Sequence, residues 1–175
     1  LRPCKDAVGG IKKVHFVDFG DLGTLTFGSS DEVTDMTGTF TYHTYDVKGN
    51  SSLETNITSS LENGTTFFEQ VVNITLFKLT KEDNKELKLM AYGRPHVVVQ
   101  TFDDKFLLVG AENGADVTGG TAVTGTAMGD LNGYTLTLTA NELRMPSFID
   151  GGTDADPFAG MSSATDTEST QRDPS

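Results

Sequence analysis

The sequence predicts an all-β protein with one helix. Three observations lead to this fold class: several segments alternate apolar and polar residues with a period of two, Asn63-Gly64 separates two such segments near the centre, and only one stretch has the end signals of a helix. The composition agrees, because Thr, Ser and Gly are abundant and Trp is absent. At 175 residues the chain is long enough to bury the core of one domain.

The first predicted strand lies in "VGGIKKVHFVDF", after a Gly-Gly turn. Its alternation defines two faces, both expected to be partly buried: one with Val14, Phe16 and Asp18, the other with His15, Val17 and Phe19. A turn at residues 20–23 leads to a short strand at 24–27. The segment "GSSDEVTDMTG", residues 28–38, is predicted to be a loop.

A long hairpin is predicted in the centre of the chain, because Asn-Gly between two β-type runs favours a type I′ turn. Alternation gives the first arm one mixed face and one wholly polar face. The mixed face comprises Leu53, Thr55, Ile57, Ser59 and Leu61, and the polar face Glu54, Asn56, Thr58, Ser60 and Glu62. In the return arm Val72, Ile74 and Leu76 mark the apolar face, opposite Glu69, Val71, Asn73 and Thr75. The pattern drifts near Phe67-Phe68, where a slip or bulge is compatible with the sequence.

The one predicted helix begins at Thr80, with Asp83 three residues later, and ends at Gly93 before Arg94-Pro95. Its buried stripe would comprise Leu87, Met90 and Ala91. A second hairpin follows, with "HVVVQTF" and "KFLLVGA" joined by a turn at Asp103-Asp104, and a strand at 134–140 ends the body. The total is about seven strands. Between the last two strands lies "GAENGADVTGGTAVTGTAMGDLNG", residues 110–133, which is unusually long for a structureless loop in a compact domain.

The composition changes near residue 151, which divides the chain into a body, residues 1–150, and an acidic extension, residues 151–175. From Asp150 onward there are six acidic residues and one Arg, giving −5 of the total net charge of −12. Composition alone predicts that this extension is disordered unless a neighbour orders it.

Charge and composition exclude several function classes. A net charge of −12 and a pI near 4.5 oppose ordinary nucleic-acid binding, although like charge suits a passage through which DNA slides without sticking. Cys4 is the only cysteine, so neither an intramolecular disulfide nor a multi-cysteine zinc site is expected. No apolar run is long enough for a membrane span or a signal peptide, which predicts a soluble protein without an export signal.

No arrangement of reactive residues in the sequence indicates catalysis. His15, His43 and His96 lack metal-binding spacing, and the serines have no Gly-x-Ser-x-Gly context. The pairs Asp103-Asp104 and Asp154-x-Asp156 could hold calcium, but Asp-rich turns are more often solvated. The Gly-rich segment matches no phosphate-binding loop. We therefore expect no enzyme activity, no metal and no cofactor.

Several segments together resemble the major tail protein, or tail tube protein, of tailed bacteriophages, especially those infecting Bacteroidetes-type hosts. The resemblance covers roughly residues 4–145 and is carried by "KDAVGGIKKVHFVDF", the polar central hairpin, "ELKLMAYGRPHVVVQ" and "LVGAENGADVTGGTAVTGTAMGDLNGYTLTLTANE". The 28–38 segment and the extension from Gly151 match no part of the family pattern.

The resemblance implies a β-sandwich or partial barrel whose copies form hexameric rings, stacked into a hollow tube in the virion. The implied partners are further copies of the chain, the tape-measure protein, tail terminator and baseplate proteins, and a sheath if the tail is contractile. DNA would be present only in transit through the lumen, no membrane would be involved, and assembly would take place in the host cytoplasm. The alternative from another class is a β-sandwich module that binds or decorates a virion or cell surface.

Two candidate surfaces follow from combining this implication with the sequence pattern. The polar hairpin face predicts lumen-facing residues, which are Glu54, Asn56, Thr58, Glu62, Glu69 and Asn73. The Gly-rich segment, with the 28–38 loop, is expected at the rims of the ring, and its candidate contacts to the next ring are Asn113, Asp116, Thr118, Thr124, Met128 and Asp130. The edge strands of the hairpin are expected to pair with a neighbouring subunit.

Overall fold

A computed structural model of the chain describes residues 8–47, 49–78 and 81–169. Cys4 and Thr80, the predicted first residue of the helix, lie outside these ranges. The strands are β1 (Ile11–Val17), β2 (Leu25–Phe27), β3 (Val33–Met36), β4 (Thr39–Asp46), β5 (Ser52–Ser60), β6 (Thr65–Phe77), β7 (His96–Thr101), β8 (Phe106–Val109), β9 (Asp116–Val123), β10 (Gly133–Glu142), β11 (Ser147–Ile149) and β12 (Thr165–Glu168). The one helix of the described residues is α1 (Lys81–Tyr92).

The strands form two sheets, which confirms the predicted all-β fold with one helix. The larger sheet has eight strands in the order β12-β4-β1-β7-β8-β11-β3-β2 and curls into a half-barrel. The smaller sheet has four strands in the order β5-β6-β10-β9, and every neighbouring pair in it is antiparallel.

Two hydrophobic cores lie on the two sides of the larger sheet. The first fills the space between the sheets, where Val97 and Val99 of β7 face Val72, Ile74 and Leu138 of the smaller sheet. The second fills the concave side of the half-barrel. Strands β1 and β7 are covered on both faces, which explains the nearly continuous apolar run of β7 and confirms that both faces of the first strand are partly buried. Asp18 and Phe19 do not belong to these faces, because β1 ends at Val17 and both residues are exposed.

The central hairpin is confirmed, with β5 and β6 in register from Ser52↔Asn73 to Ser60↔Thr65. The connection is not a two-residue turn, because residues 61–64 all lie between the paired strands. Gly64 has a φ of 62°, and the backbone N–H of Asn63 donates to Ser60 Oγ. The pairing runs through Phe67-Phe68 without a register shift, so the pattern drift there reflects no slip.

The described residues form twelve strands instead of about seven: β3 and β9 lie in segments predicted to be loops, and β11 and β12 follow the last predicted strand. Residues 33–36 form β3, and residues 116–123 of the Gly-rich segment form β9, paired with β10. Glycine is required at Gly120, where a Cβ atom would lie 2.7 Å from the carbonyl oxygen of Thr135. The close approach of β9 to β10 thus accounts for part of the glycine content.

The extension is ordered through residue 169, against the expectation from its composition. Phe158 and Met161 are buried in the second core, and β12 pairs in parallel with β4. The chain reverses sharply at Gly151, which has a φ of 72°. A Cβ atom added to Gly151 would lie 2.7 Å from the Cα atom of Gly160, so a larger residue would not fit there. The extension therefore adds an edge strand to the larger sheet and two side chains to the second core of its own chain.

Helix α1 ends as predicted, but its buried stripe is narrower. Leu87 is buried and Met90 is half-buried, whereas Ala91 is exposed, because the helix contacts the body along one edge near β9. Among the described residues, no helix has the length and apolar character needed to cross a membrane.

Candidate assembly surfaces

The outer face of the four-stranded sheet brings together most of the predicted lumen residues. We call this surface the polar face; it comprises Glu54, Asn56 and Thr58 of β5, Glu69 and Asn73 of β6, Asp116, Thr118 and Thr121 of β9, and Thr135, Thr137 and Thr139 of β10, together with two half-buried apolar residues of β6, Phe67 and Val71. The alternate residues of the same strands, such as Val72 and Leu138, point into the first core. Five of the six predicted residues therefore share one face. Glu62 is the exception, because it lies in the turn at 61–64.

Hydroxyl and amide groups on the polar face are linked across strands. Thr137 Oγ1 donates to Asn73 Oδ1 over 2.9 Å, and the hydroxyls of Thr118 and Thr139 are 3.1 Å apart. None of the four strands contains a Lys or Arg, so the only charges on the polar face are carboxylates. Such a surface interacts with water and repels phosphate groups.

The four-stranded sheet has two long edges. Its outer strands are β5, with 9 residues, and β9, with 8 residues, and each pairs on one side only among the described residues. The eight-stranded sheet instead ends in β12 and β2, with 4 and 3 residues. Unpaired backbone groups along a long edge offer a template for another strand. The capacity for strand addition is therefore concentrated in the smaller sheet.

The residues predicted to contact the next ring lie in three different places. Asn113 is held within the chain, with its side chain donating to the Asn141 carbonyl oxygen and its backbone N–H to Glu142. Asp116 and Thr118 belong to β9. Thr124, Met128 and Asp130 lie in the exposed loop 124–132.

The loop 124–132 is organised by Asp130. Its carboxylate accepts backbone N–H bonds from Ala127 and Thr126, which lower the pKa of Asp130 below its usual value. Gly125, with a φ of 74°, packs against Asp130. This arrangement leaves the Met128 side chain fully exposed.

A buried carboxylate, Glu142, was not singled out from the sequence. Its Oε1 accepts the backbone N–H groups of Glu112 and Asn113, while Oε2 is buried with no hydrogen-bond partner. Burial raises the pKa of Glu142 despite those two bonds, and the nearby Glu112 acts in the same direction while Arg144 opposes it. The alternation of β10 indicates this burial, because Glu142 lies on the same inward face as Leu138 and Ala140.

We expect Glu142→Gln to change how stability depends on pH. Because the folded-state pKa of Glu142 is raised, its favourable contribution is present at low pH and is lost as the pH rises through that pKa. The free energy of unfolding of the variant should therefore rise relative to that of wild type between pH 4 and pH 8. Urea unfolding across this range measures the difference; a difference that stays constant with pH would contradict it.

The acidic pairs considered for calcium are engaged with basic and amide groups. Asp154 Oδ1 lies 2.7 Å from Lys12 Nζ and accepts from Gln100 Nε2 over 2.8 Å, and Asp104 contacts the same two side chains. The hydrogen bond from Lys12, followed by that from Gln100, lowers the pKa of Asp154. Within the described ranges no cluster of three or more metal-binding side chains occurs.

His15 and His96 are buried and hydrogen-bonded, and His43 is half-buried. His96 Nδ1 donates to the Gly110 carbonyl oxygen, and Nε2 accepts from the Gly20 N–H, so both nitrogens are occupied. His15 Nδ1 lies 2.9 Å from Thr44 Oγ1, and burial lowers the pKa of His15 to about 4. These two histidines thus connect strands and loops within the fold.

No protein-family model, curated protein or solved structure matches the chain.

Proposed function

We propose that this protein is a virion structural protein that forms stacked rings, hexameric by the family resemblance, in the tube of a bacteriophage tail. One observation carries the proposal: the four-stranded sheet combines a polar face without basic residues and two long, open edges. A surface of this kind is suited to line an aqueous channel, and edges of this kind are suited to join neighbouring copies.

The strand directions allow the sheets of neighbouring copies to join without interruption. The four strands alternate in direction, so β5 and β9 run opposite to each other. When copies are related by rotation about an axis along the strands, β5 of one copy meets β9 of the next in antiparallel orientation. This contact is heterologous, and a rotation that closes generates a ring.

The size of the resulting barrel suits a channel for DNA. Six copies contribute 24 strands, which at about 4.8 Å spacing give a backbone diameter of about 37 Å before tilt enlarges it. Side chains take about 5 Å on each side, half the distance between packed sheets, leaving a bore of about 27 Å. A bore of this width accommodates duplex DNA.

The charge of the polar face supports passage without binding. Glu54, Glu69 and Asp116 would repeat in every copy around the bore, with no lysine or arginine in the four strands. Because affinity for DNA is dominated by contacts between basic residues and phosphates, an acidic wall keeps DNA mobile. DNA and the tape-measure protein would occupy the bore, while terminator, baseplate and, in a contractile tail, sheath proteins would contact the tube elsewhere.

Disulfide cross-linking between copies tests the proposed edge pairing. Opposed residues of antiparallel strands have Cα atoms about 4.5–5.5 Å apart, within reach of a disulfide. In a Cys4→Ser background, Thr121→Cys is combined in turn with Glu54→Cys, Asn56→Cys and Thr58→Cys. We expect at least one pair to give a ladder of covalent species ending at six chains on a non-reducing gel.

Ile57→Cys combined with Thr121→Cys is the matched control, because Ile57 lies on the opposite face of β5 and should not cross-link. Absence of a ladder for all three polar-face pairs, with monomers in negative-stain images, would contradict the proposal. That result would favour the alternative of a decorating or binding module, whose sheet edges remain solvated.

A further inference from the structure

The central hairpin extends beyond the rest of the four-stranded sheet. Strand β10 pairs with β6 only as far as Glu142↔Phe68, whereas β5 and β6 stay paired to Ser60↔Thr65. Residues 58–67 therefore project by about 10 Å, at about 3.4 Å per residue. We call residues 57–68 the hairpin tip.

The hairpin tip carries apolar side chains that the chain itself does not cover. Ile57 is 64% exposed although it lies on the core side of β5, because the core ends near Phe68. Leu61, in the turn, is fully exposed. Its neighbour Glu62 places a negative charge at the same end of the sheet.

The opposite end of the sheet has a matching set of features. It consists of Phe77, Lys78 and the loop 124–132, which are adjacent because the Lys78 N–H donates to the Asn132 carbonyl oxygen over 2.8 Å. Phe77 is 54% exposed and Met128 is fully exposed. Lys78 gives this end a positive charge beside its apolar side chains, while the carboxylate of Asp130 is bound by the N–H groups of Thr126 and Ala127 in its own loop. We call it the loop end.

From these observations we infer that rings stack head to tail, with the hairpin tip of each copy bound to the loop end of a copy in the next ring. This inference rests on the proposed function, because it requires the strands to run along the tube. In a ring built by rotation, all hairpin tips lie on one rim and all loop ends on the other.

The chemistry of the two ends favours contact between unlike rims. Leu61 and Ile57 would be buried against Met128 and Phe77, and Glu62 would approach Lys78. Contact between like rims would instead bring the Glu62 carboxylates of both rings together, which is unfavourable. Repetition around the ring makes many small contacts act together, so a weak contact per copy is sufficient for stacking.

Two substitutions, one at each end, separate stacking from ring formation. Leu61→Asp is expected to inactivate the hairpin tip, and Met128→Asp the loop end, since each puts a charge where an apolar side chain is buried. Both residues are fully exposed in the isolated chain, so neither change should affect its folding. Each variant alone should give single rings by analytical ultracentrifugation and negative-stain microscopy, where wild type gives tubes.

Mixing the two variants gives the sharpest test, because each retains the end that the other lacks. The intact loop end of the Leu61→Asp ring should bind the intact hairpin tip of the Met128→Asp ring, and the complex cannot grow further. We expect pairs of rings with twice the mass of a single ring, and no tubes. Leu61→Met and Met128→Leu, which keep the apolar character, are the controls and should still form tubes.

Rings whose stacking is unchanged by both Asp substitutions would overturn the inference while leaving the proposed function intact. Mixtures that contain only single rings would overturn it as well, since they would show that the two ends do not bind each other. Monomers in the wild-type protein under all conditions would instead count against the proposed function itself.

Discussion

Replacing Phe158 with alanine is expected to lower the free energy of unfolding by about 3–5 kcal/mol, the usual cost of emptying a site this size in a core. Phe158 is only 1% exposed, and its ring packs edge-on against Phe40 and Tyr42 at centroid distances of 4.8 and 5.3 Å. It is the main side chain by which the extension fills the concave side of the half-barrel. For a chain of this size the loss corresponds to a fall in melting temperature of roughly 6–20 °C.

Phe148→Ala is the matched control, because it removes the same atoms from a side chain that is 51% exposed. Thermal unfolding followed by circular dichroism should show a much smaller fall for this variant. If both substitutions lowered the melting temperature equally and only slightly, residues 151–169 would not be an integral part of the core. The extension would then be an appendage, as its composition suggests.

A second large effect is expected from reversing the charge of the polar face with Glu54→Lys and Glu69→Lys together. Both side chains lie on the outer face of the smaller sheet, so the fold and the tubes should persist. In a hexameric ring the two changes would add a dozen lysines to the bore. Assembled tubes should then retain duplex DNA, with an affinity that falls about 10³-fold or more between 50 and 200 mM salt, as for proteins that contact several phosphates.

Asp18→Lys with Asp21→Lys makes the same change in charge at exposed positions between β1 and β2, outside the four-stranded sheet. Cosedimentation of DNA with tubes compares the two variants with wild type, which should retain none. Equal retention by both variants would mean that total charge, and not the position of Glu54 and Glu69, controls binding. That result would show that the polar face does not line the bore.

Alternation of residues in strands was the most reliable guide to the fold. It placed Val72, Ile74 and Leu76 on the core side and their neighbours opposite, as the pairing of β5, β6 and β10 confirms. It also identified the two buried faces of the first strand. These patterns are local: successive side chains of a strand point to opposite faces of the sheet, so alternation in the sequence becomes alternation in the structure.

Features that depend on distant partners were missed. The Gly119-Gly120 pair lowers the intrinsic β propensity of β9, yet pairing with β10 forms a strand there. Residues 151–169 contain few apolar side chains, and composition could not show that Phe158 and Met161 fill a space made by the seven other strands of the larger sheet. In both cases tertiary contacts override a local preference.

For the candidate surfaces too, local alternation was predicted correctly and features that depend on distant residues were missed. Alternation grouped Glu54, Asn56 and Thr58 with Glu69 and Asn73, but it could not show that the turn takes four residues and removes Glu62 from that face. It also gave no indication that Asp116 and Thr118 belong to the edge strand of the same sheet. The polar face is therefore larger than the sequence predicted, and the loop is shorter.

The most direct test is a cryo-electron microscopy reconstruction of the assembled protein. We expect a closed barrel in which β5 of each copy pairs antiparallel with β9 of the next, with Glu54 and Glu69 facing the bore. A reconstruction in which both edge strands remain unpaired, or in which the eight-stranded sheet lines the channel, would contradict the account.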